Sequence, residues 1–383
     1  MIDFDENEAE RILRKTVRDF AEREIRPFAR EWDEEERFPS ELMPKLAELG
    51  LLGLRVPEEY GGSAMTQQEN SIVIEEMARV DGAVALTVAS HNGLCTGHIL
   101  LAGNEAQKRK YLPQLATGKA LGAWGLTESG SGSDAAGMKT RAVKKGDHWV
   151  LNGSKTFITQ GSVGSIYVVL ASTDPDQKQK GITAFILEKG MKGFAVGKHI
   201  EKLGCRASDT CELSFTDVEV ADEQRLGEVG RGFIDTLEIL DRGRISIAAM
   251  ALGLGQGAIE AAIGYAKDRK QFGRPIGDNQ AIQFMLADAA TELEAARLLV
   301  RRAGWIKDQG RRSTRESSMA KLWAAQAGMR ACDIAIQVHG GYGYTREFPV
   351  ERALRDCKLC EIGEGTNEVN RIVIARELLG RNA

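Results

Sequence analysis

The chain has 383 residues, of which 43% are hydrophobic and 28% charged, a composition typical of a globular protein of two or three domains. The formal net charge is −4 without a polybasic tract, which disfavours nucleic acid or an anionic membrane as a partner. No run approaches membrane-spanning length, so we expect no membrane insertion. Six scattered cysteines and an acidic N-terminus without a signal pattern predict reduced thiols in the cytoplasm, or in the mitochondrial matrix of a eukaryote after processing.

Up to about residue 120, the apolar periodicity predicts helices and no convincing strand. A loop that contains Pro57 and the Gly61-Gly62 pair separates the second predicted helix from the third. We therefore expect an α-helical domain over residues 1–120. Its predicted helices cover residues 8–29, 40–49, 66–78, 83–102 and 105–117.

After residue 121 the pattern changes to short β-branched or alternating segments, which are typical of strands. Gly146-Asp147 lies between two of them and is a hairpin signal. We expect a compact β-barrel or sandwich domain over residues 121–227. Its predicted strands cover residues 139–145, 148–151, 166–171, 182–187 and 211–220.

Residues 227–232 resemble a linker, after which the helical periodicity returns. Predicted helices at 233–267, 280–309 and 314–338 are long, and two of them are rich in alanine and glycine, so they can pack closely. We expect a C-terminal four-helix-bundle domain over residues 228–383. The predicted fold class is α+β, with the β domain between two helical domains.

Near the end of the chain, Glu364 lies between Gly363 and Gly365. A helix begins just after it, where Thr366 or Asn367 can form the N-cap and Glu368 lies in the first turn. The pattern places a carboxylate on a flexible turn beside free N–H groups, which suits a general base facing developing negative charge. An exposed turn glutamate is the alternative that the motif alone leaves open.

Three other loops can hold a phosphate-bearing or flavin-like ligand. Residues 126–134 are rich in glycine and hydroxyls, residues 268–273 combine basic side chains with an aromatic one, and residues 337–344 form a glycine-rich turn. A flexible or solvated segment is the alternative for each of them.

Three further patterns only imitate functional motifs. Gly253-x-Gly255-x-Gly257 lies inside a helical pattern, so helix packing explains it better than dinucleotide binding. His91, Cys95 and His98 share one helical face but have no obvious fourth ligand, so we expect no metal. Cys357-x-x-Cys360 lacks the βαβ context of a redox pair and is interpreted as two ordinary thiols.

Six motifs in this order resemble the acyl-CoA dehydrogenase family over essentially the whole chain, most closely its short-chain (butyryl-CoA) or short branched-chain members. They are residues 126–134, 155–159, 203–213, 269–273, 337–341 and 364–366.

The resemblance implies one FAD per subunit. Arg269, Phe272, Gln280 and residues 337–341 match positions that reach the FAD of a neighbouring subunit, so a homotetramer built as a dimer of dimers is expected. The matched cofactor positions are Trp124, Leu126, Thr127, Gly132, Ser133, Phe157, Ile158, Thr159, Arg269, Phe272, Gln280, Gln337, Gly340, Gly341, Thr366 and Glu368.

Glu364 matches the catalytic base of the family. Some relatives carry the base instead at the position of Gly243, so the sequence supplies one base and no competitor. Gly363 stands where straight-chain relatives often carry tyrosine, which opens space beside the substrate carbons. The matched substrate positions are Ser133, Asp241, Arg244, Leu86, Ser90, Leu94, Gly363 and Gly365.

The implied reaction is α,β-dehydrogenation of a short, straight or lightly branched acyl-CoA to the trans-2-enoyl-CoA. Glu364 takes the α-proton, hydride passes to flavin N5, and an electron-transfer flavoprotein takes the electrons. The expected acyl pocket has no basic residue, which disfavours glutaryl-CoA. Two alternatives remain: an acyl-CoA or nitroalkane oxidase that uses O2, and a non-catalytic scaffold. The sequence does not separate fatty-acid β-oxidation from branched-chain amino acid catabolism.

Overall fold

The structure, a computed structural model, describes residues 5–380. Residues 1–4, which belong to the acidic N-terminal segment considered above, and residues 381–383 lie outside this range. The first group of elements is helical, and a π-helical turn over His91–Thr96 joins two of its helices. The helices are α1 Glu8–Glu24, α2 Ala29–Glu35, α3 Met43–Glu48, α4 Gln67–Ala78, α5 Gly82–Ser90, α6 Gly97–Ala102 and α7 Glu105–Ala116.

Local sequence explains several of these boundaries. Asn7 and Glu10 form a capping box at the start of α1, and the same arrangement begins α4 and α7. The single helix predicted over residues 8–29 is wrong: α1 ends at Glu24, because Pro27 has no N–H with which to continue the helical hydrogen bonds. The helix predicted over residues 83–102 is interrupted by the π-helical turn.

The middle of the chain forms one mixed sheet in which β6-β7-β3-β2-β4-β5-β8 are neighbours and β1 pairs in parallel with β4. The predictions missed β1, β6 and the two-residue β8, and they ended β3 eight residues too early. The strands are β1 Gly122–Gly125, β2 Arg141–Lys145, β3 His148–Thr159, β4 Ile166–Ser172, β5 Ile182–Glu188, β6 Phe194–His199, β7 Thr210–Ala221 and β8 Arg225–Leu226.

The remaining described residues are mainly helical. The prediction missed α11, whose C-terminus leads directly to Glu364. The elements are α8 Gly232–Asp268, a hairpin of β9 Lys270–Gln271 and β10 Arg274–Pro275, α9 Gln280–Asp308, α10 Thr314–His339, α11 Val350–Ile362 and α12 Asn367–Leu378. The chain is thus α, then β, then α, as predicted, and the proposed divisions after residues 120 and 227 lie between the groups.

Helix α8 lies at the centre of the fold and packs on α4, α9, α10 and α11. A Cβ at Gly253 would lie 2.1 Å from the carbonyl oxygen of Glu75, and one at Gly257 would lie 2.1 Å from that of Arg79. These glycines therefore let α8 and α4 approach closely, which confirms the helix-packing interpretation.

Within the described range, α8 is also the one helix long and apolar enough to cross a membrane. The expectation that no run approaches this length is therefore wrong for α8. Most of its apolar segment is buried inside the protein, as in the core helix of a globular fold.

Candidate active site

The loop between α11 and α12 holds Glu364 in an unusual main-chain conformation. Glu364 has a φ of +55° and Gly365 a φ of +87°, both in the left-handed region. Gly365 takes this conformation without a steric penalty, whereas Glu364 is strained by it. Thr366 then caps α12 by accepting a hydrogen bond from the N–H of Val369 at 3.2 Å. The surrounding fold therefore imposes the position of the carboxylate.

Glu364 is partly buried, and its Oε2 atom is fully buried without a hydrogen-bonding partner among the described residues. A Cβ on Gly243 of α8 would lie only 2.6 Å from that oxygen, so the carboxylate occupies the space that the missing side chain leaves. Burial raises the pKa of Glu364 to about 7, although Arg244 and Lys321 act to lower it. An unpartnered carboxylate that ionises near neutral pH has the properties of a general base.

Beside this carboxylate, two predicted substrate residues form a buried ion pair on α8. Arg244 Nη1 donates to Asp241 Oδ1 at 2.9 Å, and Asp241 Oδ2 accepts from Thr314 Oγ1 at 2.6 Å. Arg244 Nε also lies 3.5 Å from the main-chain oxygen of Glu364, at the limit of a weak hydrogen bond. The structure thus brings Asp241, Arg244 and Glu364 together.

On the other side of the base loop, α10 contributes a buried lysine that the sequence reasoning missed. Lys321 Nζ donates to the Gly365 carbonyl at 2.8 Å and to Asn367 Oδ1 at 3.2 Å. A lysine in a helical pattern normally indicates a solvated face, so periodicity alone did not single it out.

The Gly/Ser-rich loop at residues 126–134 is held by a buried ion pair that was also missed. Lys155 Nζ donates to Glu128 Oε1 at 2.8 Å and to the Leu126 carbonyl at 2.9 Å. Glu128 also accepts from the N–H groups of Lys139 and Thr140, so it joins both ends of the loop. Burial lowers the pKa of Lys155 to about 8. Gly132 and Ser133 are exposed at the tip of this loop.

Beside the loop, the β3 residues predicted to contact the cofactor point in different directions. Phe157 has a φ of +57° and is 64% exposed, whereas Ile158 is buried in the interior of the sheet. Thr159 is partly exposed at the strand end. Ile158 therefore offers almost no surface to a ligand, whereas the Phe157 side chain is available to one.

Three more predicted cofactor residues, Trp124, Leu126 and Thr127, lie at or just before the start of this loop, and two of them are buried. Trp124 is buried and its Nε1–H donates to His98 Nδ1 at 3.1 Å, and Leu126 is buried in the same cluster. Thr127 accepts a hydrogen bond on its carbonyl from the Thr156 N–H at 2.9 Å, and its side chain is partly exposed. Thr127 is therefore the residue of the three whose side chain is most available to a ligand.

A second group of predicted cofactor residues lies at the far end of α10. Arg269, the residue before the β9–β10 hairpin, lies over the ring of Tyr342, which follows residues 337–341; its guanidinium carbon is 5.5 Å from the ring centroid. Phe272 at the hairpin tip is fully exposed with a φ of +52°. Gln280 and Gln337 are exposed, and a Cβ at Gly340 or Gly341 would meet no atom within 4 Å. This surface is open to a large partner.

The residues of the predicted acyl pocket lie on α5 and the π-helical turn. Leu86 and Leu94 are partly buried, and Ser90 is buried. Gly363 has an ordinary φ, so it is not required by the backbone, and a Cβ there would make only ordinary contacts with Leu359. The position therefore has room for a side chain and lacks one.

The metal and redox motifs of the sequence have structural roles. His91 Nε2 lies 3.0 Å from the Leu52 carbonyl, His98 bonds Trp124, and Cys95 Sγ is 3.6 Å from the Ile166 carbonyl. The described residues contain no group of three possible metal ligands. Cys357 and Cys360 are free, buried thiols on α11.

Comparison with known proteins shows the family of this chain. Models of the N-terminal, middle and C-terminal domains of acyl-CoA dehydrogenases match residues 7–119, 123–218 and 230–379. The chain belongs to the acyl-CoA dehydrogenase family. The short-chain-specific acyl-CoA dehydrogenase of Clostridium acetobutylicum is 45% identical over 377 residues, which cover 98% of this chain and all of that protein.

Two solved structures superpose on this acyl-CoA dehydrogenase with a TM-score of 0.97. Butyryl-CoA dehydrogenase from Megasphaera elsdenii is 43% identical, and the match covers 99% of this chain and 100% of that one. A chain from a structure described as the electron-transferring flavoprotein of Acidaminococcus fermentans is 45% identical, with the same coverage.

Members of this family are FAD-dependent flavoproteins, and the residues present fit such a cofactor. The exposed side chain of Phe157 lies beside the Gly/Ser-rich loop, and Glu364 Oε2 has no hydrogen-bonding partner among residues 5–380. At the far end of α10, Gly340 and Gly341 leave the backbone open to close approach. This acyl-CoA dehydrogenase is accordingly an FAD-dependent oxidoreductase.

Proposed function

We propose that this enzyme dehydrogenates a short, straight or lightly branched acyl-CoA to the trans-2-enoyl-CoA, with Glu364 as the base. The observation that carries the proposal is the buried Glu364 carboxylate, which has one oxygen without a partner and a pKa raised by burial to about 7. The α-proton of a thioester is a weak acid, so its removal needs a base at hydrogen-bond distance and donors for the thioester oxygen.

In this mechanism, Glu364 approaches the α-carbon in its ionised form and accepts the proton. The main-chain N–H of Glu364 is our candidate donor to the thioester oxygen. Asp241 and Arg244 lie next to the base and orient the thioester and its pantetheine arm, because they are polar groups held rigid by Thr314 and by each other. When bound, FAD supplies the acceptor for the β-hydrogen as hydride.

The FAD site is proposed to rest on residues of two subunits. Thr127, Phe157 and the loop at residues 126–134 would hold it on one side, and Arg269, Phe272 and residues 337–341 of a neighbouring subunit on the other. Gln337 is sixteen residues beyond Lys321 in the same helix, and hence roughly 24 Å along its axis from the base loop. Residues 337–341 are thus remote from the base of their own chain, which supports a site shared with a neighbouring subunit in a homotetramer.

The acyl group is proposed to be short because of the similarity to short-chain-specific and butyryl-CoA dehydrogenases, and the pocket composition bears on its branching and charge. Gly363 leaves open the space beside the base, which suits a straight chain or one methyl branch. The one ionisable nitrogen side chain on α5 and the π-helical turn is His91, and burial lowers its pKa to about 4. The pocket wall formed by these elements is therefore uncharged near neutral pH, which disfavours an acyl chain that ends in a carboxylate.

The electron acceptor is proposed to be an electron-transfer flavoprotein in the cytoplasm. Support comes from the similarity to the Acidaminococcus fermentans chain and from the bacterial origin of the relatives described above. Family membership alone does not exclude O2 as the acceptor, so the test must include it.

Anaerobic titration of the purified protein with butyryl-, isovaleryl- and octanoyl-CoA tests the proposal. Bleaching of the oxidised flavin band by butyryl- or isovaleryl-CoA, and weaker bleaching by octanoyl-CoA, is expected. Rapid oxygen consumption with the same substrate would favour the oxidase, and a protein that cannot take up FAD would favour the scaffold. A flavin that none of the thioesters bleaches would contradict the proposed substrate class.

A further inference from the structure

The main-chain carbonyl of Gly365, one residue after the base, receives two buried side-chain donors. Lys321 Nζ on α10 donates at 2.8 Å and Asn370 Nδ2 on α12 donates at 2.9 Å. Both residues are fully buried. Glu364 and Gly365 are both left-handed, and these two hydrogen bonds fix the Gly365–Thr366 peptide that directly follows them.

The charge of Lys321 is not needed for this hydrogen bond alone. A neutral amide makes the same kind of bond, as Asn370 does. Lys321 has no salt bridge to a carboxylate within the part of the chain that the structure describes, and burying an unpaired ammonium group costs free energy. Burial accordingly lowers the pKa of Lys321 to about 8. A charge kept at such a cost points to a role beyond packing.

The ionisable groups around Lys321 come from two helices and the base loop. Arg244 faces it from α8, Cys360 and Glu361 face it from α11, and Glu364 lies in the loop. Arg244 is already engaged with Asp241 at 2.9 Å, and Glu361 is paired with Lys358 at 2.6 Å. Lys321 is therefore the cation near Glu364 whose charge no close carboxylate neutralises.

We propose that Lys321 is a positioning residue that fixes the base loop through the Gly365 carbonyl and keeps the Glu364 carboxylate ionised for proton abstraction. The inference rests on the proposed function, because it concerns the base of that reaction. Burial raises the pKa of Glu364, and the positive charges of Arg244 and Lys321 lower it. When the charge of Lys321 is removed, only Arg244 opposes the effect of burial, so the pKa of Glu364 rises. A purely structural lysine would affect folding or the maximal rate without moving this ionisation.

The test is the pH profile of kcat/KM for the FAD-loaded enzyme with butyryl-CoA and a dye acceptor, between pH 5.5 and 9.5. Lys321→Met removes the charge and the hydrogen bond, whereas Lys321→Gln removes the charge and keeps a donor. The rate rises with pH as Glu364 ionises, and the midpoint is the pH at which kcat/KM reaches half of its high-pH plateau. In both variants this midpoint should move upward by about one pH unit. The rate at pH 7 should then fall by about fivefold from the ionisation alone, and most of this loss should be recovered at pH 9.5.

Asn370→Leu is the matched control, because it removes the other donor to the same carbonyl without changing a charge. It should lower the plateau and leave the midpoint in place. Lys321→Arg should restore the wild-type midpoint. If the wild type is active and the midpoints of Lys321→Gln and Lys321→Met do not shift, the inference about Lys321 is overturned and the proposed function is not. A wild-type enzyme that oxidises no acyl-CoA would instead overturn the proposed function. If Lys321→Met does not fold, Lys321→Gln decides the question.

Discussion

Gly243 provides a sharp test of how the base is accommodated. In Gly243→Ala, the new methyl group would lie 2.6 Å from Glu364 Oε2 and 2.8 Å from its carboxyl carbon. Ordinary contacts begin near 3.4 Å, so the carboxylate must move by roughly 0.8 Å. The clashing atoms are the end of a flexible side chain, so the backbone of α8 does not have to shift.

A displacement of this size takes the base out of its reactive geometry. Misplacement by about 1 Å can cost roughly a hundredfold in rate, so kcat for butyryl-CoA should fall by about 10- to 100-fold. Replacing a mid-helix glycine with alanine favours folding by about 0.5–1 kcal/mol, so Tm should be unchanged or higher. Anaerobic stopped-flow reduction of the flavin measures the rate, and circular dichroism measures Tm.

Gly264→Ala is the control, since Gly264 lies on the same helix and a Cβ there would meet no atom within 4 Å. It should raise Tm slightly and leave flavin reduction at the wild-type rate. If Gly243→Ala also reduces its flavin at the wild-type rate, the close fit between Gly243 and the Glu364 carboxylate has no catalytic importance, and this reasoning is refuted.

Three further predictions concern the supports of the site. Lys155→Met should destabilise the protein by about 3–5 kcal/mol in urea unfolding and lower its FAD content, because it leaves the buried Glu128 carboxylate unpaired; an unchanged unfolding free energy would count against this role. Phe272→Ala should leave the fold intact but lower FAD retention and tetramer content in sedimentation, because the ring touches nothing in its own subunit. Asp356→Asn should raise Tm more at pH 8 than at pH 5. Burial and Asp81 raise the pKa of Asp356 to about 7, so the stability from its protonated form is lost between about pH 4 and 7; a pH-independent difference would contradict it.

The sequence supported the α–β–α order because its periodicity changes sharply near residues 121 and 227. It did not reveal α11, because the buried side of that helix carries Asp356, Cys357 and Cys360 rather than large apolar residues. It did not reveal β1, because Gly-Ala-Trp-Gly has low strand propensity and is stabilised by parallel pairing with β4. The formation of α11 and β1 therefore depends on tertiary contacts rather than on local sequence patterns.

The glycine-flanked turn marked Glu364 as a candidate base, and the family resemblance added Asp241 and Arg244. The structure brings the three residues together. Their supports were not selected. Lys155 was part of the motif at residues 155–159 but was given no role, and Lys321 lies in a helical pattern as an ordinary surface lysine would. Only the fold shows that both are buried against loop carbonyls. The sequence marks residues whose chemistry is recognisable, whereas residues that orient them depend on packing that local patterns do not encode.

The most direct test of the account is single-turnover reduction of bound FAD by butyryl-CoA in Glu364→Gln under anaerobic conditions. Glutamine keeps the size of the side chain but cannot accept the α-proton, so the variant should bind FAD normally. Its reduction rate should be lower by about 10²- to 10⁴-fold, the contribution of a general base. A Glu364→Gln enzyme that bleaches at the wild-type rate would show that another group removes the proton.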